Sequence, residues 1–464
     1  MIDQNKTVLS LDIGTSSVKA MKSGVEGASA KAKVVYSEAS VCGWKNAVKS
    51  VLHRIDTGDV AAMSLSAQVG TYIVDDKDVL SWNDVGGDEY LKTVKTEISQ
   101  EEFEKEISMP HPNIVSYPLP RMLYIRDKFK TASKVCMPKD YFIGQFTGNY
   151  CTDAYSWRGL ADLKENKYSK TLLDRFGLKF ELPRIASFDE QVGSVTACAA
   201  KEYGLPEGIP VFAGANDFYC GLLGMGITET GAEFNLSGTS EHIGVITKDI
   251  NRFSPVSGPY FFGNATYGGT KSSGVCCDFS IREFGIADVG LETVMKSPPI
   301  FLPYLCGERA PVFDENARGV FFGLNDKTDK KALAYSVLEG VAFGVYDAGI
   351  DAGISSGGKL IGAGGSFVND FMTKLKAEIF GKEIVRVKEN DVSALGAGLI
   401  ALSGAGFFKD IKDAAAKVVK YERGVKPDGE YSDLIKKRFE LYKTLYKDLK
   451  DDYKKFNVIY GDKK

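Results

Sequence analysis

Short apolar runs alternate with glycine-bearing turns along the first third of the chain. The segments "TVLSLDI", "SVKAM" and "AKVVYSEA" read as consecutive strands, followed by a helix through "GWKNAVKSVLHRI" and strands at "VAAMSLS" and "GTYIVDD". That order predicts a mixed sheet in an α/β domain. From Gly87 to Lys130 the spacing is helical, and prolines at positions 110, 112, 118 and 120 predict irregular loops within it. "GIPVFAGAND" is a strand running into a glycine-rich turn. After it, "GAEFNLSGTSEHIGVI" repeats the opening theme of strand, hydroxyl-bearing turn and strand. The repeat predicts a domain boundary near Thr228 to Thr230, giving domains at 1–229 and 230–464. Further on, "KKALAYSVLEGVAFGVYDAG" and "DFMTKLKAEIFG" read as helices, with Leu333, Val337, Val341 and Val345 on one face of the first. Phe371, Leu375 and Ile379 share a face of the second, which Gly381 ends as a cap. In the tail, Ile435, Phe439, Tyr442, Tyr446 and Leu449 recur at helical spacing, as in an amphipathic helix packed by one face.

Composition narrows the partners. A length of 464 residues suits two or three domains, and 44% hydrophobic with 26% charged residues is an ordinary globular balance. The net charge of −3 gives no reason to expect nucleic acid or an acidic membrane. No apolar run approaches the roughly 20 residues of a membrane span, and the polar start "MIDQNKT" is unlike a signal peptide. The eight cysteines lack a CxxC spacing and the three histidines are far apart, which argues against a zinc site. The expectation is a reduced, cytoplasmic, soluble protein. Glycine is the outlier at 49 residues, implying many tight turns or close backbone approaches.

In "LSLDIGTSS", Gly14, Thr15, Ser16 and Ser17 follow Asp12 almost at once. Turns of glycine and small hydroxyl residues let backbone N–H groups converge on an anion. Asp12 would repel that anion unless a divalent cation lay between, so it is a candidate for holding Mg²⁺ through water. An Asx-type turn in a hairpin is the plainer alternative. The echo "LSGTSE" offers Gly238, Thr239 and Ser240 on a second such turn, so that one loop per domain could grip a polyphosphate from both sides. Asp217 ends an apolar strand before the helix "FYCGLLGMG". It is either a carboxylate that takes the proton of an alcohol during phosphoryl transfer or the N-cap of that helix. Glu308, Arg309, Asp314 and Arg318 interleave with turn formers and predict a buried ion network that positions a loop. In "IGAGGSFVNDF", Gly362, Gly364, Gly365 and Ser366 permit close approach to a phosphate or flat contact with a ring, or form a plain strand-to-helix turn. There is no GxxxxGK[ST] loop and no GxGxxG after a strand.

Taken in order, these elements resemble the FGGY carbohydrate kinase family of the actin-like superfamily, over about Val8 to Phe408. "LSLDIGTSS" and "LSGTSE" are similar to the family's phosphate motifs, and "GAND" falls where the family has the turn ending in its catalytic aspartate. "PYLCGERAPVFDENARGVFFGL" resembles its most distinctive block, and "GAGGS" with "SALGAGLIALSGAG" its adenosine-binding region. The resemblance implies two actin-like (ribonuclease H-like) α/β domains, each a mixed sheet flanked by helices, with the active site in the interdomain cleft. It makes Asp217 the general base and Asp12 the Mg²⁺ holder, with Gly14, Thr15, Ser16, Gly238, Thr239 and Ser240 about the phosphates. Gly364, Gly365 and Ser366 would lie along the nucleotide of ATP. Gln68, Trp82, Asn83 and Asp84 look like the sugar-contacting residues of xylulokinases.

Some positions depart from the xylulokinase pattern. Gly70 stands where a sugar-facing histidine is usual, and Phe218 where asparagine usually follows the base. The implied activity is transfer of the γ-phosphoryl group of ATP to a terminal hydroxyl of a small sugar, a ketopentose such as xylulose. L-Fuculose, L-ribulose, gluconate and polyols stay open as acceptors, and a catalytically silent sugar-binding regulator is the rival from another class. By the same analogy a homodimer is expected.

Overall fold

Residues 3, 5–84, 86–238, 240–250, 256–285 and 289–460 are described by a computed structural model, and packing divides the chain into two units. The first comprises Met1–Thr228, Gly258–Phe261 and Asp391–Lys420, and the second Glu229–Ser257, Phe262–Asn390 and Tyr421–Lys464. Among the described residues no helix is long and apolar enough to cross a membrane.

The first unit is built on a six-stranded sheet. Its strands are β1 (Thr7–Ile13), β2 (Ser17–Gly24), β3 (Gly27–Val35), β4 (Val60–Ala67), β5 (Gln191–Ser194) and β6 (Pro210–Asn216), in the spatial order β5-β6-β4-β1-β2-β3. β1, buried at every position, carries the near-continuous apolar run of a strand covered on both faces. β3 lies at the edge and exposes Lys31 and Lys33, charges that discourage pairing with another chain. β1, β2 and β3 are antiparallel neighbours, whereas β4 runs parallel to β1 and β6 parallel to β4. Register sets Ile13 opposite Ala67 and Ala67 opposite Asn216. The chain therefore leaves the same edge of the sheet at Gly14, Gln68 and Asp217. The helix Val41–Leu52, capped by Ser40, buries Trp44, Val48 and Val51 in this core.

Two expectations change here. Tyr72–Val74 joins a separate small sheet with Asp78–Leu80 and Val135–Cys136. Pro118 and Pro120 begin the helix Pro118–Lys128 instead of interrupting one, because the first-turn N–H groups of a helix have no internal acceptor to lose.

The strands β7 (Glu233–Ser237), β8 (Glu241–Thr247), β9 (Gly263–Thr270), β10 (Lys359–Gly364) and β11 (Glu383–Arg386) of the second unit lie in the order β9-β8-β7-β10-β11. The pairings are antiparallel, antiparallel, parallel and parallel, the same series as β3-β2-β1-β4-β6. The turns at 14–16 and 238–240 thus occupy the same place in two sheets of one design. The helix Ser432–Tyr460 buries Ile435, Phe439, Tyr442, Tyr446 and Tyr453, and its Arg438 pairs with buried Glu339 at 2.6 Å.

The charged block at 308–318 is held differently from the predicted ion network. Glu308 takes the backbone N–H groups of Lys271 and Arg309, Asp314 takes the Tyr446 hydroxyl, and Arg318 donates to the carbonyls of Glu315 and Ala317. Backbone N–H groups answer buried carboxylates without the cost of desolvating a second charge.

The packing division falls at Thr228/Glu229, beside the expected boundary, but it also assigns 391–420 to the first unit. Glycine is the reason. A Cβ at Gly396, on the helix Val392–Gly404, would stand 1.8 Å from the Cys220 carbonyl oxygen of the helix Asp217–Gly224, and one at Gly224 would stand 1.9 Å from the Val392 oxygen. With backbones this close, Gly396→Ala must push the helices apart, and we expect a loss of about 2–3 kcal/mol in urea unfolding. A wild-type midpoint would refute the tight contact.

Candidate active site

In the first unit the β1–β2 turn is closed by Gly14 N–H donating to the Ser17 carbonyl at 3.0 Å. Thr15 and Ser16 are exposed at its tip. Asp12, 5% exposed, accepts the Ser66 hydroxyl from β4 at 3.1 Å. Burial pushes its carboxyl up, and Lys19, opposite it in the hairpin, partly offsets that. Lys19 also lies 2.8 Å from Asp391. Among the described residues no group of three or more His, Cys, Asp or Glu could cage a metal. One carboxylate beside an anion-binding turn fits Mg²⁺, which keeps water and phosphate oxygens as its other ligands.

A chain of hydrogen bonds ties this turn to the predicted acceptor segment. Gln68 Nε2 donates to the Gly14 carbonyl at 3.4 Å, and Thr71 Oγ1 donates to Gln68 Oε1 at 3.2 Å. The Trp82 backbone N–H donates to Thr71 Oγ1, and the Trp82 indole N–H donates to Thr15 Oγ1, both at 3.1 Å. Gln68, Trp82 and Thr15 are therefore brought together. Asn83 and Asp84 are not: they are exposed and turn back on Ser81, at 2.7 Å and 2.6 Å. At Gly70, φ is +81° and a Cβ would meet Ser116 at 3.0 Å, so a side chain there would be strained and crowded. The adjacent Thr71 hydroxyl is buried and joins Gln68 to Trp82.

Asp217 follows β6 at the first position of its helix. The N-cap is Asn216, whose Oδ1 accepts Tyr219 N–H at 2.9 Å, so the aspartate is released from capping. Its own Oδ1 takes the N–H of Phe218 at 2.8 Å. Burial first, and then the negative charge of Asp12, push its carboxyl up to about 7, while Arg158 pulls the other way. Arg158 is 9% exposed, with its guanidinium 5.2 Å and 5.3 Å from the Tyr117 and Tyr219 ring centres. Under β6, the buried Lys139 donates to the Ala213 carbonyl at 3.2 Å and pairs with Asp153 at 3.1 Å. Sequence reasoning missed Lys19, Arg158 and Lys139. The hairpin spacing from Asp12 could have found Lys19, and a lone "KD" in the apolar run "MPKDYFIGQF" could have flagged Lys139. Arg158 leaves no local signal.

In the second unit, Gly238 N–H closes its turn on the Ser240 carbonyl at 2.8 Å; Thr239 lies outside the described residues. Ser366 N–H donates to Ser237 Oγ at 3.1 Å, joining the turns at 238–240 and 364–366. The glycines of "GAGG" have different uses. Gly362 makes room for the Phe367 ring, Gly364, at φ +94°, would drive a Cβ to 1.9 Å from the Ser237 oxygen, and only Gly365 faces open space. The absent side chains at 362 and 364 thus serve close internal packing.

A turn of glycine and hydroxyl residues in each of two matched sheets, with a carboxyl raised into the neutral range at the edge of one, suits phosphoryl transfer. Comparison with known proteins makes this specific. Residues 7–224 match the N-terminal domain of the FGGY family of carbohydrate kinases and residues 287–405 its C-terminal domain. The chain belongs to that family and is a sugar kinase using ATP. Xylulose kinase of Staphylococcus epidermidis (strain ATCC 12228 / FDA PCI 1200) is 26% identical over 96% of this chain and 97% of that protein. Among solved structures, gluconate kinase from Lactobacillus acidophilus has a TM-score of 0.83 at 24% identity, covering 97% of this chain and 99% of its own. Ligand-bound xylulose kinase from the same organism has the same TM-score and identity, covering 97% and 100%. The fold is the two-domain actin-like ATPase fold.

The electrostatics predict a titration. A carbon-13 titration of the Asp217 carboxyl should give a midpoint near 7. In Asp12→Asn that midpoint should fall, since a neighbouring negative charge disfavours the carboxylate. An unshifted midpoint would break the link between the two acids.

Proposed function

We propose that this kinase transfers the γ-phosphoryl group of MgATP to a terminal hydroxyl of a small open-chain sugar, a ketopentose such as xylulose, with Asp217 as general base. The observation that carries the reading is Asp217 itself, relieved of capping by Asn216 and raised to about 7 by burial and Asp12. A carboxyl there is partly ionised at neutral pH and strong enough to take a hydroxyl proton as the bond to phosphorus forms. Asp12 holds Mg²⁺ through water. The cation supplies charge neutralisation of the phosphates. Gly14, Thr15 and Ser16 grip the phosphates from the first unit, and Gly238, Thr239 and Ser240 do so from the second. Gly364, Gly365 and Ser366 line the nucleotide.

Gln68 and Trp82 orient the acceptor, and their bonds to Gly14 and Thr15 couple acceptor placement to the phosphate turn. Asn83 and Asp84 join them by releasing Ser81. The xylulose kinase name of the Staphylococcus relative supports a ketopentose. Arg158, whose charge reaches Asp217, favours one second reading, a sugar acid of the gluconate class. A cytoplasmic homodimer completes the proposal.

The test is a coupled assay over ketopentoses, deoxy-ketohexoses, sugar acids and polyols with wild type and Asp217→Asn. The variant should lose about 10²- to 10⁴-fold in kcat with ATP affinity unchanged. Wild-type turnover in the variant would remove Asp217 as the base. A preference for acids that Arg158→Leu abolishes would select the second reading.

A further inference from the structure

The second unit contains a buried charge pair that the functional reading leaves unused. Lys376, on the helix Asp370–Phe380, and Glu241, the first residue of β8, are both fully buried. The Lys376 ammonium donates to Asn235 Oδ1 at 3.0 Å, to Ser366 Oγ at 2.7 Å and to a Glu241 carboxylate oxygen. A lysine has three N–H donors, so all are spent. Glu241 also takes the Ser273 hydroxyl at 2.6 Å, and Asn235 Nδ2 donates to the His242 carbonyl at 3.1 Å, which fixes the orientation of its amide. Burial opposes the Glu241 charge, yet Lys376 beside it outweighs that and holds the carboxyl below its usual range.

The partners share a location. Asn235 lies on the strand entering the 238–240 turn, Glu241 begins the strand leaving it, and Ser366 belongs to the 364–366 turn. A single ammonium thus meets both arms of the phosphate turn and the nucleotide turn. Burying an ion pair is no efficient route to stability: apolar residues of similar volume in such a site are often neutral or stabilising. What the pair supplies is direction, since each hydrogen bond pins one turn at one distance.

We propose that Lys376, with Glu241, is a positioning residue that holds the phosphate turn and the nucleotide turn of the second unit in a single register for ATP. This rests on the assignment of those turns to ATP under the proposed function. Loss of the pair loosens the grip on ATP and leaves the acceptor site, built in the first unit, untouched.

The experiment compares the full-length wild type with Lys376→Met, Glu241→Gln and the double variant by thermal melting, ATP titration calorimetry and steady-state kinetics. Lys376→Met alone strands a buried carboxylate and should lower the melting temperature. The double variant removes both charges and should melt near wild type. Its ATP dissociation constant and KM should nevertheless rise between about tenfold and 100-fold, with acceptor KM unchanged. Ser273→Ala, which removes only one hydroxyl from Glu241, guards against misfolding of the others and should weaken ATP binding about fivefold. Wild-type ATP affinity in both the double variant and Ser273→Ala would overturn the proposal, as would equal loss for ATP and acceptor. A wild type that binds no ATP at all would instead overturn the assignment of the turns.

Discussion

Parallel hydrogen bonding between β1, β4 and β6 is the constraint on which the rest of the site depends. Parallel strands send their carboxyl ends to one edge, and ligands in such sheets bind outside that edge. With Ile13, Ala67 and Asn216 in one row, Gly14, Gln68 and Asp217 leave the sheet together. At about 4.8 Å between neighbouring strands, the phosphate turn and the Asp217 backbone stand roughly 10 Å apart. That distance leaves room for a phosphoryl group and an alcohol. The second sheet repeats the device: Ser237 pairs with Gly364, so the turns at 238–240 and 364–366 emerge side by side.

Charge is then arranged on that edge. Asp12 disfavours the ionisation of Asp217, and Lys19, Asp391 and Arg158 modulate the two acids. Under the proposed function the first acid would meet a cation and the second a proton. Lys139 anchors β6 from below through the Ala213 carbonyl, so the strand carrying Asp217 is tied by a buried charge as well as by its ladder. In the second unit Lys376 has the corresponding role beneath the turns. Both buried lysines satisfy carbonyl or carboxylate oxygens near the edge where the strands end.

Much of this was legible locally. The hairpin turns announce themselves through glycine followed by small hydroxyl residues, and the apolar runs before them through strand periodicity. The family resemblance rests on the same stretches; the family match covers those within 7–224 and 287–405, while "LSGTSE" lies between its two parts. Other parts were hidden because another side chain, adjacent or far along the chain, decides them. Whether Asp217 caps its helix depends on Asn216 taking the role first. Whether Asn83 and Asp84 reach a sugar depends on Ser81. "SALGAGLIALSGAG" resembles part of an adenosine-binding region, and within it Gly396 admits the Cys220 carbonyl of another helix.

The amino-acid sequence by itself determined the two-fold repetition, the turns of glycine and hydroxyl residues and the presence of an acid after β6, because each follows from residues adjacent in the chain. Tertiary structure alone decided which charges meet. Lys376 finds Asn235 and Glu241 across more than a hundred residues, and Trp82 finds Thr15 across sixty-seven. Such contacts depend on sheet register and helix placement, which no local pattern specifies. They set the geometry of the turns, while burial and the charge of Asp12 raise Asp217.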